Sequence, residues 1–451
     1  MEKPRLHSRT TSEREPPRLR VASLSGPRVA GLLVAMLASG LPAAAQQALT
    51  WEQVKARFEA ANPALRADAI GIDEAKAEEI TASLRPNLTM TYLLDQLYPF
   101  YTNAFSAPLG TASNIGYRPF ENALNEGTLS YLHERRHKRE LRLEDAKENT
   151  QITTSLHSDL ERNLIFNLRN AFVQTLQAKA VLLLAEADLE YYDKIIEISR
   201  NRFKDGDIAQ VDLDRIELLR VQYEVEIQAA IVNLRTAKIQ LLQLLNQRTP
   251  VDQFDVTGNF DWSAALQPLD DFHQIALDNR PDLRAALQGI EKAKTDHRLA
   301  IANGSTDPTF SVDAGANPPL DPYVGFGFSI PLRIFDRNQG EKRRTLLDID
   351  RSRETADASR AQVFSDVDSA YEQLRSSIAL LKPYKEKYRD QATRVRDTVT
   401  YSYQHGGASL IDFLNAQSDY RVVQLAYLQL IGAYLTAASQ LNLAVGREVI
   451  Q

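Results

Sequence analysis

Apolar residues recur every seven positions along two long stretches of the chain. One stretch carries three such seams: Val211, Leu218, Val225, Val232, Ile239; Leu213, Arg220, Ile227, Leu234, Leu241; and Ile216, Tyr223, Ala230, Ala237, Leu244. Near the C-terminus Phe413, Tyr420, Tyr427, Tyr434 and Leu441 repeat in the same way. A sustained period of seven is the mark of helices packed as coiled coils. One seam suits a helix pair. Seams on several sides predict a helix with neighbours to left and right, as in a bundle or a closed cylinder. The pattern predicts two long antiparallel pairs, about 134–203 with 208–245 and about 340–404 with 409–445. Gly206 breaks the first pair and Gly406-Gly407 the second, because glycine adopts positive φ without a Cβ clash. Asp207 is expected to cap the returning helix of the first pair, and Ser409 that of the second. Asp412 then falls in a first turn, where the helix dipole favours a carboxylate.

Elsewhere the period drops to two. Residues 87–94, 126–132, 309–315 and 323–330 read as strands. Alternation is clearest where Tyr323, Gly325, Gly327 and Ser329 interleave with Val324, Phe326, Phe328 and Ile330. Aromatics gather around these patches: Tyr92, Tyr98, Phe100, Tyr101, Tyr117, Phe120, Tyr131, Phe310 and Tyr323. Membrane barrels carry such girdles, and so do ordinary hairpins. Four strands cannot close a membrane barrel, which needs about eight. An open edge is not tolerated in lipid. If these hairpins sit in a membrane, several chains share one barrel.

The chain is built twice. Asn62-Pro63-x-Leu65-Arg66-Ala67 aligns with Arg280-Pro281-x-Leu283-Arg284-Ala285, each a short helix, a turn at proline and a second helix. The segments at 202–216 and 402–416 align with an offset of 200, Gly206 on Gly406 and Asp212 on Asp412.

The N-terminus reads as an export address. Arg18, Arg20 and Arg28 precede an apolar run from Val29 to Leu37, and Ala43-Ala44-Ala45 follows, the charged, apolar, small-residue order of a secretory signal. Residues 1–45 are therefore set apart as a signal with an N-terminal extension. Beyond them no run of eighteen apolar residues predicts a membrane-spanning helix. The chain has no cysteine, which excludes disulfides and thiolate metal sites. Its formal charge is −6, and the first 45 residues carry seven basic and three acidic groups, so the remainder is near −10. That balance argues against a nucleic-acid partner.

With the duplicated layout, the two tip segments and the run "SIPLRIFDRNQGE" at 329–341 in view, the sequence resembles the TolC-like outer-membrane efflux proteins. The Asp336-Arg337-Asn338-Gln339-Gly340 run looks like the strand-to-helix junction of the CzcC-like heavy-metal branch. The matching place in the first half, "LSYLHERRHKRELR", departs from that branch's Gly-Gly-Lys-Arg pattern. The resemblance implies a mainly α fold with a small β part. Duplicated antiparallel coiled-coil helices would form an α-barrel. Four strands per chain would join a trimeric 12-stranded outer-membrane β-barrel. It divides the chain into a first repeat at 46–250, an equatorial linker at 251–268 and a second repeat at 269–451. It implies a homotrimer in outer-membrane lipid that extends into the periplasm. A periplasmic adaptor and an inner-membrane pump, of the RND type by the branch motif, would dock at the tips formed by Gly206, Asp207, Gly406 and Gly407. The implied gate residues are Asp412, Asp212 and Tyr403, with Tyr403 bonding Asp212 and Asp412 forming a ring of three carboxylates that favours cations. The family's gate arginine position is Ala408 here, and a second acidic constriction position is Asn415. Both Asp212 and Asp412 also fit plain compensation of a helix dipole.

His133-Glu134-Arg135-Arg136-His137 spells the zincin motif. Its arginine-crowded setting at a strand-to-helix junction, with no third ligand in sight, assigns it to coincidence. The basic cluster Arg135 to Arg142 fits either a contact with lipid headgroups or a solvated helix start. No nucleotide-binding loop or nucleophile elbow is present, and Met90 alone of the methionines lies beyond residue 45, which argues against a Met-lined copper path. The expected activity is that of a passive conduit for metal cations or small toxic compounds, without cofactor or enzymatic chemistry. The alternatives are a duct for type I polypeptide secretion and, in a different class, a periplasmic coiled-coil scaffold.

Overall fold

The computed structural model describes residues 48–95, 123–317 and 320–450. The signal segment 1–45 and the aromatics Tyr98, Phe100, Tyr101, Tyr117 and Phe120 lie outside the described residues. Each half opens as predicted. Helix α1 (Trp51–Ala61) starts at a capping box between Thr50 and Gln53, and α2 (Pro63–Ser83) starts with proline at its first position. The Asn62 side chain caps α2 by accepting from the amides of Ala64 and Leu65. In the second half α5 (Leu269–Asn279) and α6 (Pro281–Asn303) repeat the arrangement. There Arg280 replaces the capping asparagine. Its guanidinium turns inward to Asp282, Asp366 and the Ala444 carbonyl and is 4% exposed.

Strands β1 (Thr89–Asp95), β2 (Leu124–Leu132), β3 (Thr309–Ala316) and β4 (Tyr323–Ser329) form one antiparallel sheet in the order β1-β2-β3-β4. The central pairing, β2 with β3, joins the two halves. Its register sorts the side chains by face. Met90, Leu129, Val312 and Phe326 fall in one cross-strand row, and Tyr131, Phe310 and Phe328 in another on the same face. The opposite face carries Thr89, Ser130, Ser311 and Gly327, then Thr91, Thr128, Asp313 and Gly325. The apolar face is uncovered: Phe326 is 85% exposed and Met90 78%. Among the described residues, the outer edges of β1 and β4 pair with no strand.

Helix α3 (Lys138–Lys204) turns into α4 (Gln210–Leu244), and α7 (Gln339–Pro383) runs through a wide turn at Tyr384–Tyr388 into α8 (Arg389–Gln404), which turns into α9 (Leu410–Val445). The second long helix runs from 339 to 404, as expected, and carries one wide turn inside it. Pro383 supplies no amide hydrogen, and the backbone widens to i→i+5 bonding over the next turn. Helix α9 is long and apolar enough to cross a membrane by length and composition, with a window of mean hydropathy 1.3. Phe413, Tyr427, Ile431, Tyr434 and Leu441 on it are nevertheless buried inside the protein.

Three buried clusters hold the described residues together. The first-half cluster packs Val54, Phe58 and Phe172 against Phe254 and Val256 of the segment following α4, which a single parallel bridge ties to Leu49. The second-half cluster packs Phe272, Val363, Leu374 and Tyr434. The third lies at the turns and joins both hairpins, bringing Tyr192, Ile196, Ile216 and Tyr223 of the first to Tyr403, Leu410 and Phe413 of the second.

Candidate functional site: helical tips and strand–helix junctions

Both tips close with the same backbone geometry, 200 residues apart. Gly206 has φ +83° and Gly406 φ +75°. At the first tip the Asp207 amide donates to the Arg202 carbonyl at 2.9 Å and the Gly206 amide to Phe203 at 3.0 Å. At the second the Gly407 amide donates to Ser402 at 2.7 Å and the Gly406 amide to Tyr403 at 3.1 Å. This is the Schellman closure that a positive-φ glycine permits.

The returning helices start differently. Ser409 caps α9 in a reciprocal box. Its hydroxyl accepts from the Asp412 amide at 3.2 Å, and the Asp412 carboxylate accepts from the Ser409 hydroxyl at 2.7 Å. Asp412 is exposed and already committed to that cap. Asp207 does not cap α4. The N-cap is Ala209, which makes no side-chain bond, because Ile208 and Ala209 separate Asp207 from the first helical turn. The main chain of Asp207 instead closes the helix before it.

Tyr403 is 4% exposed and stacks on Phe413 with ring centroids 4.9 Å apart. Burial raises its phenol pKa, and Asp212 adds to the rise. Asp212 is close enough to be felt there, but the expected Tyr403–Asp212 hydrogen bond is not formed: the buried hydroxyl lies against that of Ser199 and accepts or donates no well-aligned bond among the described residues. The link between the tips comes from a residue that the sequence did not single out. Arg202, on the first hairpin, donates to the Tyr403 carbonyl at 2.7 Å and lays its guanidinium 5.1 Å from the Tyr403 ring centroid. An arginine therefore does bridge the tips, from the hairpin opposite to Ala408. The backbone carbonyl it uses leaves no signal in a sequence.

Above the tips the hairpins are joined by paired charges and rings. Arg396 of α8 lies between Tyr191 of α3 and Tyr420 of α9, with ring centroids at 4.7 and 3.9 Å. Arg421 of α9 covers Tyr223 at 4.6 Å and donates to Glu226 of α4 at 3.1 Å. Asp188 of α3 faces Arg421, Arg396 and Glu226. Burial pushes its carboxyl up to about 6, the two arginines offsetting only part of that cost.

At the sheet end, the two long helices begin alike. His137 (φ +56°) and Asn338 (φ +61°) precede α3 and α7 in left-handed conformation. Within the Asp336–Gly340 run, Asp336 accepts from the Asn338 amide at 2.8 Å, Gln339 accepts from the Arg337 amide at 2.8 Å, and the Asn338 side chain donates to the Ala300 carbonyl at 2.8 Å. Gly340 lies in the first turn of α7, with open space where a Cβ would stand. In the first half Arg136 is left-handed as well, so His133 to His137 is not a helix and the two histidines do not share a helical face. Glu134 pairs with Arg142. Lys138, 4% exposed, is held by Asp307 at 2.5 Å and by the Ser305 carbonyl at 3.1 Å.

Residues 273–447 match the family model described as "Outer membrane efflux protein". The cobalt-zinc-cadmium resistance protein CzcC of Cupriavidus metallidurans is 24% identical over 320 residues, covering 69% of this chain and 74% of that protein. The outer membrane protein TolC of Salmonella enteritidis is 23% identical over 406 residues, covering 85% and 79%. Among solved structures, CusC superposes with a TM-score of 0.72 at 17% identity, covering 88% of this chain and 92% of that one. The outer membrane protein VceC of Vibrio cholerae superposes with a TM-score of 0.68 at 16% identity, covering 88% and 96%. The duplicated hairpins, the sheet with one apolar and one polar face, the family match over residues 273–447 and the shared fold together make this chain similar to the TolC-like outer-membrane efflux proteins, with whose solved members it shares its fold.

Proposed function

We propose that three copies of the chain close into a 12-stranded barrel and a twelve-helix tunnel, and that this conduit passively exports metal cations or small toxic compounds delivered by a proton-driven pump of the RND type. The observation that carries the reading is the two-faced sheet, whose outer edges pair with no strand among the described residues. A face of Met90, Leu129, Val312 and Phe326 suits lipid, a face of Thr128, Ser311 and Asp313 suits water, and unpaired edges are tolerated in lipid only when a neighbouring copy covers them. The helices support the same closure. Val211, Leu218, Val225, Val232 and Ile239 form an exposed apolar seam on α4 at heptad spacing, while α8 exposes Val395 and Tyr401. Although both helices also contribute to the cluster at the turns, α4 and α8 each keep an exposed apolar face, so α4 of one copy meets α8 of the next and the ring closes head to tail.

The metal cargo rests on the likeness to CzcC and on the Asp336–Gly340 junction. The exposed Asp412 supplies one carboxylate per copy at the tip, with Asp212 and Tyr403 behind it, and Gly206, Asp207, Gly406 and Gly407 form the surface offered to an adaptor. The test is twofold. The protein in mild detergent should have the mass of a trimer and conduct ions across a planar bilayer; a monomer, or a silent bilayer, would overturn the conduit. A host lacking the chain should lose tolerance to cobalt, zinc or cadmium; unchanged tolerance to all three, with heightened sensitivity to organic toxicants, would move the cargo away from metals.

A further inference from the structure

Far from the tips, a cavity of about 330 Å³ lies between α1, α3 and the C-terminal end of α9. That volume is at the lower end of small-molecule sites. Arg169 of α3 lines it beside Trp51, with its guanidinium 4.4 Å from the Trp51 ring centroid. Stacking on tryptophan holds a guanidinium in place and leaves its in-plane N–H groups free. Among the described residues, none accepts a hydrogen bond from the Arg169 side chain. Its nearest opposite charges, Glu448 and Glu52, act on it beyond ion-pair distance, and burial lowers its pKa. A guanidinium presents five donors in a rigid fork, and those of Arg169 are open to any acceptor that enters the cavity.

The other cavity charges define what would satisfy it. Arg162 is already spent on Asp159 and the Leu443 carbonyl, both at 2.5 Å. Lys55 and the exposed Arg447 face Glu161 and Glu448 around the same cavity. Arg169, held against Trp51 with no acceptor among the described residues, is the cation placed to take an anionic head entering the cavity. Trp51, Ile165 and Phe166 supply the apolar wall. We propose that this cavity binds a small organic carboxylate with a flat apolar body, its carboxylate on the Arg169 fork and its ring against Trp51 and Phe166. The site lies outside the conduit reading and does not depend on it.

Trp51 reports on its own pocket. It and Trp262 are the chain's two tryptophans, so Trp262→Phe leaves Trp51 as the single emitter. The full chain in detergent is titrated with benzoate, with benzyl alcohol as the uncharged counterpart and with inorganic phosphate as a bare anion. Benzoate should change Trp51 emission saturably, and Arg169→Gln should weaken it by about tenfold or more, as loss of one charge-assisted pair implies. Benzyl alcohol and phosphate should fail to saturate at the same concentrations. No saturable response to benzoate, equal affinity in Arg169→Gln, or equal response to benzyl alcohol or phosphate would overturn the assignment. Where Arg169→Gln alters the emission of the unliganded protein, Arg447→Gln at the exposed rim decides. It should weaken benzoate severalfold with the unliganded spectrum intact, and an unchanged affinity there overturns the site.

Discussion

Arg202 of the first hairpin donates to the main-chain oxygen of Tyr403 in the second at 2.7 Å, with its guanidinium 5.1 Å from the same residue's ring. The two hairpins of one protomer are thereby tied at their tips by a single side chain that uses both a charged hydrogen bond and a cation–π contact. Together these contribute about 1–3 kcal/mol. Arg202→Ala should loosen the tips and raise the resting conductance of the protein in a planar bilayer. Arg202→Lys should fall between, since it keeps the charge and loses the fork. Asp212→Ala should leave the resting conductance nearer the wild-type value, because Tyr403 makes no bond to it.

Asp188 gives the hairpin junction a defined pH response. Its carboxyl is pushed from 3.8 to about 6 by burial, against the pull of Arg421 and Arg396. Between those two values the folded chain holds a proton that the unfolded chain has released. Stability from this group is therefore full below the lower value and is lost as pH rises through about 6. Asp188→Asn should raise the unfolding temperature at pH 7.5 and change it little at pH 4. Melting curves at the two pH values check this, and equal shifts at both would show that the effect is not ionisation.

Gly206 and Gly406 isolate backbone strain from packing. Both have positive φ, and nothing lies within 4 Å of where a Cβ would stand. Alanine at either place meets no clash and bears only the left-handed conformation, a cost of about 1–2 kcal/mol. Asparagine should be milder, since it enters that region more readily. Limited proteolysis at the tips reads the difference, with cleavage ordered Ala, Asn, Gly from fastest to slowest.

The duplicated plan, the helical turns and the four strands are legible in the sequence because each rests on a local signal: heptad seams, glycine at a forced positive φ, and period-two alternation. The Ser409–Asp412 cap is read for the same reason. What was not legible depends on which main-chain atoms meet across the fold. Arg202 acts on a carbonyl, and Tyr403 is turned into a core with Phe413 rather than toward Asp212. The wide turn after Pro383 was hidden because one π turn leaves the chain helical on both sides of it. Asp207 misled because its place after glycine resembles a cap, while Ile208 and Ala209 shift the true helix start downstream.

Lys138 and Asp307 make the junction of the first half sensitive in one direction. The ammonium is 4% exposed and 2.5 Å from the carboxylate, whose pKa lies below the usual range despite burial, through Lys138 and the Arg135 amide. Asp307→Ala leaves that ammonium buried beside a single carbonyl, a loss of about 3–5 kcal/mol. Lys138→Met should cost less, and adding it to Asp307→Ala should restore part of the stability. The yield of folded oligomer in detergent measures all three, and a double variant no better than Asp307→Ala would remove the buried charge as the cause.

The strongest test of the sheet's placement compares its two faces at matched depth. Phe326 pairs with Val312 on the apolar face, and the neighbouring Asp313 pairs with Gly325 on the polar one, opposite Thr128. An arginine introduced at Phe326 would point into hydrocarbon and cost about 2–4 kcal/mol near the bilayer midplane. An arginine at Thr128 would point into the water-filled interior beside Asp313 and should be accepted. Phe326→Arg should therefore reduce the folded protein recovered from outer membranes, while Thr128→Arg should assemble normally and shift conductance selectivity toward anions. Equal assembly of both variants would mean that lipid does not lie against Phe326, and the barrel would lose its main physical support.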